Sequence, residues 1–157
     1  MQTRFGHTGA VSPRHPAEGA TPERVRIGIY LQPSEFDDAK AAYLADWNNG
    51  GSADTFATWV AAAIVRHAAR TPLSRSRLAR NKQRGEGEPG IARTFAVPAE
   101  VITTMRAALS LDRREGHWQS ESAWYVDAIA AAVDAARAAT GGRLPTPPPR
   151  LPNRLRR

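Results

Sequence analysis

The sequence predicts a mainly helical fold, β-α-α repeated twice, whose two strands pair as a two-stranded antiparallel ribbon. Three observations carry that expectation. In "RVRIGIYLQPSEFDDAK", residues 24–40, Val25, Ile27, Ile29 and Leu31 alternate with Arg26, Gly28 and Tyr30, which makes a strand with one apolar face. A related stretch, "IARTFAVPAEVITTM", returns at residues 91–105. Sliding the chain by 65 residues without gaps lays Pro33 on Pro98, Glu35 on Glu100, Leu44 on Leu109, Trp59 on Trp124 and Ile64 on Ile129.

The elements follow in order. Residues 1–22 are rich in Gly, Pro, Thr and Ser without periodicity and read as a flexible arm. The first unit spans 23–71. After its strand, Pro33 occupies a first-turn position where a missing N–H costs nothing. Phe36, Lys40, Tyr43, Leu44 and Trp47 follow at helical spacing, and "NNGGS" stops that helix. Asp54 or Thr55 caps the next helix, whose apolar stripe is Phe56, Trp59, Val60, Ala63, Ile64 and His67; Pro72 ends it.

Residues 72–90 read as a basic flexible linker. The second unit, 91–140, has a strand near Ile91 to Val97, a helix from Pro98 to about Leu111, and a closing helix from a Ser120 cap to about Ala139. Residues 141–157 form a Pro- and Arg-rich tail expected to be disordered, with extended polyproline geometry.

Charge and composition narrow the function. The net charge is +7, yet the excess lies in residues 71–90 at +3 and 143–157 at +5, while 24–70 is neutral and 91–142 is −1. Basic arms on neutral cores suit a partner dense in phosphate; solubilising spacers are the alternative. There are no cysteines, hence no disulfide framework or thiolate metal site. His7, His15, His67 and His117 make no i, i+4 pair, so no metal is expected. No Gly-rich phosphate loop, paired-carboxylate cleft or Ser/His/Asp grouping stands out, so neither an enzyme nor a cofactor is expected. No apolar run is long enough for a membrane helix, and the start lacks a secretory signal; a cytoplasmic protein is the simplest expectation.

A lone strand leaves both edges unpaired, so two copies pair antiparallel and share a four-helix core. The ribbon then exposes one face, of a width that suits the DNA major groove. At this point "RVRIGIYLQPSEFDDAK" followed by "DTFATWVAAAI" resembles the ribbon-helix-helix DNA-binding proteins of the Arc/MetJ type. The shape is closest to the ParB-like and ParG-like centromere-binding proteins of plasmid partition. The resemblance implies a dimeric unit, strands in the major groove of double-stranded DNA, and second-helix amino termini touching phosphates. Helix-start amides bind anions on independent physical grounds. Partition with repression of its own operon is the implied role. A conjugative relaxosome accessory protein and an antitoxin-type repressor whose tail wraps a toxin are the alternatives.

The candidate DNA-binding residues follow. Unit one has one residue more between strand and helix than unit two, so Leu31 matches Val97. The outward faces are then Arg24, Arg26, Gly28 and Tyr30 in one strand and Ala92, Thr94 and Ala96 in the other. The first set donates to base edges; the second offers mostly methyl groups. Thr55 and Ser120 are helix caps first, with phosphate contact through the amides they prepare. Arg75, Arg77, Arg80, Lys82 and Arg84 either track the DNA backbone or form a solvated linker. Arg4 or Arg14 of the arm is the candidate for insertion into a ParA-like ATPase partner, as the resemblance suggests. The strands pair either within one chain, as an intramolecular pseudo-dimer, or between two chains as a homodimer.

Overall fold

A computed structural model describes residues 23–79 and 88–157. Its elements are β1 (Arg24–Leu31), α1 (Pro33–Asn48), α2 (Phe56–Ala68), α3 (Pro72–Leu78), β2 (Ile91–Pro98), α4 (Ala99–Arg114) and α5 (Glu121–Ala139). The chain is mainly helical, with one two-stranded antiparallel sheet formed by β1 and β2. The register runs from Arg24 opposite Pro98 to Leu31 opposite Ile91, with Gly28 opposite Thr94 near the middle. The strands therefore pair within the chain.

Alternation decides which ribbon face is covered. Ile27, Ile29, Leu31, Phe95 and Val97 point inward and are buried. They join Tyr43, Trp59, Ile64, Val101, Met105, Leu109, Trp124 and Ile129 in one continuous core. Helices from the two parts of the chain interlock: α1 packs chiefly on α5, α2 packs on α4 and α5, and each strand receives a helix from the other part, α5 on β1 and α2 on β2.

The helix ends have local causes. Pro33 opens α1, where Glu35 accepts from the Gln32 amide at 3.0 Å. Thr55 and Ser120 cap α2 and α5 by accepting from the amides of Thr58 and Ala123. Both α1 and α4 end on a glycine with positive φ, Gly50 at 90° and Gly116 at 84°. In each, the glycine amide reaches back to Trp47 or Arg113, and the next amide bonds Asp46 O at 2.8 Å or Asp112 O at 2.9 Å.

Two expectations about the connecting segments need correction. Residues 72–78, read as part of a flexible linker, form α3, because Thr71 accepts from the Ser74 amide and Pro72 sits at the first helical position. The tail lacks regular structure but is docked, with Leu144, Leu151 and Leu155 packed against the core. Leu155 N donates to Asp54 O at 2.7 Å. Among the described residues no helix is long and apolar enough to cross a membrane.

Candidate functional site: the exposed ribbon face

The face of the ribbon turned away from the helices is the candidate site. Cross-strand partners of an antiparallel pair project to the same side. Three alternate pairs face outward: Arg26 opposite Ala96, Gly28 opposite Thr94, and Tyr30 opposite Ala92. Arg24, Arg26, Gly28, Tyr30, Ala92 and Thr94 are exposed, and Ala96 is half-buried. Tyr30 is 61% exposed, far from the burial its ring favours. Arg24 is steered across the strands by a long bond from Nη1 to Ala96 O at 3.4 Å. A Cβ built on Gly28 meets nothing within 4 Å, so the middle of the face is open and flat. The seven residues read from the sequence as one outward face are thus brought together.

The helix-start candidates stand beside that face. Thr55, half-buried, lines a groove with Thr94 and Phe95; Ser120, exposed, lines another with Tyr30. Both hydroxyls are engaged as caps.

The linker arginines divide. Arg75 is 2% exposed and cannot reach a ligand at the surface. Its Nε bonds both Asp112 carboxylate oxygens at 3.0 Å, and Nη2 reaches Oδ1 at 2.7 Å. The rest of the fork donates to carbonyls of His67, Ala68, Arg70 and Ala108. Arg75 is a buried tie between the end of α2 and α4, not a DNA contact, since a charge at that depth persists only when paired. Arg77 is exposed. Arg80, Lys82 and Arg84 lie outside the described residues, as do Arg4 and Arg14.

Sequence reasoning missed the carboxylates that hold the two tryptophans. Trp59 Nε1 donates to Asp46 at 2.7 Å, and Trp124 Nε1 donates to Asp112 at 3.2 Å. The signal was present: an aspartate 13 residues before one tryptophan and 12 before the other. His67 packs edge-on against Trp124, with centroids 4.8 Å apart. Burial first, then the Arg70 and Arg75 charges, pushes its pKa down to about 4 despite Asp112, so the ring is neutral.

Among the described residues no three His, Cys, Asp or Glu side chains gather to hold a metal. A separate cavity of about 370 Å³ is lined by Tyr43, Asp46, Trp59 and Arg66. Against family models, curated proteins and solved structures, the chain finds no match.

Proposed function

We propose that this chain is a tandem ribbon-helix-helix protein that binds duplex DNA by laying the outer face of β1 and β2 in the major groove. The observation that carries the reading is the asymmetric burial of the ribbon. On its inner face Ile27, Ile29, Leu31, Phe95 and Val97 are buried under helices from both parts of the chain, with only the end residues Val25 and Ile91 exposed, while Arg26, Tyr30 and Thr94 stand clear around an open glycine. A two-stranded ribbon fits the major groove, and donors and methyls projecting from it match base edges there.

The tandem character has its own support. Leu31 was matched to Val97 from sequence, an offset of 66 residues. That offset carries Gly28 onto Thr94, its own pairing partner, as a two-fold axis through the ribbon requires. It also carries α1 onto α4, Gly50 onto Gly116, and Asp46 onto Asp112. The 65-residue shift that laid Pro33 on Pro98, Glu35 on Glu100 and Leu44 on Leu109 therefore does not hold in these helices. It fits only from α2 and α5 onward, where Thr55 meets Ser120 and Trp59 meets Trp124. The interlocked helices and the repeated Trp–Asp bond fit two copies of one motif sharing a core.

The setting proposed is a centromere-binding partition protein that represses its own operon, with a ParA-like ATPase engaged through residues 1–22. It rests on the resemblance of residues 24–64. Selecting bound fragments from random duplexes tests the core claim. Arg26→Ala should then retain salt-sensitive binding but lose about 1–3 kcal/mol of discrimination between selected and random DNA. Unchanged discrimination removes Arg26 from base readout.

A further inference from the structure

The end of α1 attracts a cation that the helix itself does not supply. Carbonyls left free at a helix end carry partial negative charge. The last turn of α4 holds Arg113 and Arg114, and Arg113 Nη2 donates to Gln119 O at 3.2 Å with its guanidinium over the Trp118 ring. The last turn of α1 holds no basic residue and does hold Asp46, and the 66-residue offset puts Trp47 where α4 has Arg113.

The tail supplies it instead. Arg157 Nη2 donates to Trp47 O at 3.2 Å and to Gly51 O at 2.7 Å, and its guanidinium lies 4.4 Å from the centre of the Trp47 ring. A planar guanidinium stacks on an indole while donating from its edge; an ammonium has no flat face to offer. Arg157 is exposed, and the tail before it is held by Leu155 N on Asp54 O at 2.7 Å and Arg154 Nε on Asp54 Oδ2 at 3.3 Å.

Beside this guanidinium, and sharing Trp47 and Gly51 with it, lies the cavity of about 370 Å³, a size that suits a small ligand. Its lining carries both signs of charge. Asp46 gives Oδ2 to the Trp59 indole, and Arg66 is exposed and makes no ion pair among the described residues. Tyr43 is fully buried in the wall, yet its hydroxyl has no hydrogen-bond partner among the described residues. Burial first, then the Asp54 charge, raises its pKa, so the hydroxyl keeps its proton and can donate. A buried polar group left unpaired calls for a partner from outside the chain.

We propose that the corner between α1 and α2 is a binding site for an alkylguanidinium with an amino-acid head, of which L-arginine is the simplest, and that Arg157 occupies its guanidinium half. The guanidinium of the ligand takes the place on Trp47 and the two carbonyls. Its ammonium and carboxylate enter the cavity, toward Asp46 and Arg66. Ligand and Arg157 exclude one another, so binding releases that part of the tail. The 16 residues of α1, about 24 Å of helix, separate the corner from the ribbon, and nothing in the site requires DNA.

Calorimetric titration of the full chain, without DNA, tests this. Arg157→Ala removes an exposed side chain and should keep the native helix content, as circular dichroism checks. It should bind L-arginine about tenfold more tightly than the native chain, because a tethered guanidinium no longer competes. L-Lysine should bind that variant about tenfold more weakly than arginine does. Adding Arg66→Ala should weaken L-arginine about threefold or more while leaving methylguanidine, which has no carboxylate, unchanged. Equal affinity of the native and Arg157→Ala chains for arginine, or no binding to Arg157→Ala, overturns the site. Lysine binding as tightly as arginine overturns its preference for a guanidinium. Equal weakening of arginine and methylguanidine by Arg66→Ala overturns the placement of the amino-acid head.

Discussion

Residues 24–68 and 91–139 use the same devices in different company. Each joins a strand to a helix that closes on a positive-φ glycine, and each hangs a tryptophan from an aspartate in that helix. In the first part, Asp46 is half-buried and its tryptophan belongs to an aromatic cluster around Phe56, with Phe36, Tyr43 and Phe95. In the second, Asp112 is fully buried and carries Arg75 as well as Trp124. The same hydrogen bond is thus an orienting contact in one place and part of a buried ion pair in the other. The ribbon face shows the matching contrast, with arginines and tyrosine from β1 and methyl groups from β2.

The sharpest way to break the comparison is to delete the two carboxylates separately. Asp112→Ala strands a buried guanidinium and should cost about 3–5 kcal/mol. Asp46→Ala removes one neutral-donor bond at a half-buried site and should cost about 1–2 kcal/mol. Denaturant midpoints read both. Equal losses would mean that Arg75 finds water or another partner once Asp112 is gone.

That contrast also marks where the sequence was legible. The alternation in 24–31 and 91–97, the proline that opens α1, and the Thr55 and Ser120 caps are local signals, and the elements stand where they predict. The outward face followed from period two together with the match of Leu31 to Val97. What was not legible depends on distant partners. Arg75 looks like any linker arginine until α3 forms and delivers it to Asp112, 37 residues away. Pro72 marks the stop of α2, yet with Thr71 as cap it is also the first-turn proline of a new helix. The tail reads as solvated because proline and arginine dominate it. Leu144, Leu151 and Leu155, spread too widely for any periodicity, are the residues that dock it.

A smaller effect comes from His67, which ties the two parts together by packing on Trp124. Its ordinary pKa of 6.5 is lowered to about 4 in the fold. Between those values the unfolded chain holds more protons than the folded one, so stability falls as pH drops from about 6.5 toward 4. The groups facing the ring reinforce the direction: Arg70 and Arg75 oppose its protonation more than Asp112 favours it. The loss should be on the order of 2–3 kcal/mol across that range. His67→Leu should flatten that part of the profile in melts at pH 7 and pH 4.5. An unchanged slope would assign the acid sensitivity to the buried carboxylates.

The smallest change in stability belongs to the central pair of the ribbon, and it separates folding from reading. Gly28 has no positive φ and no neighbour within reach of a Cβ, so the backbone does not demand glycine there. Gly28→Val lowers the entropy of the unfolded chain and suits an extended strand. It should stabilise by about 0.5–1 kcal/mol, visible as a slightly higher melting temperature. The isopropyl group would, however, fill the flat centre of the outer face, where on the proposed reading the ribbon comes closest to the bases. Preference for selected over random duplex should therefore fall about tenfold while the fold improves. Thr94→Val, directly across the ladder, keeps the size of the side chain and removes only a hydroxyl, so its effect should be smaller. If Gly28→Val reads DNA as well as the native chain, close approach at the centre is not what the glycine provides. Specificity would then rest on Arg26 and Tyr30 at either side of it.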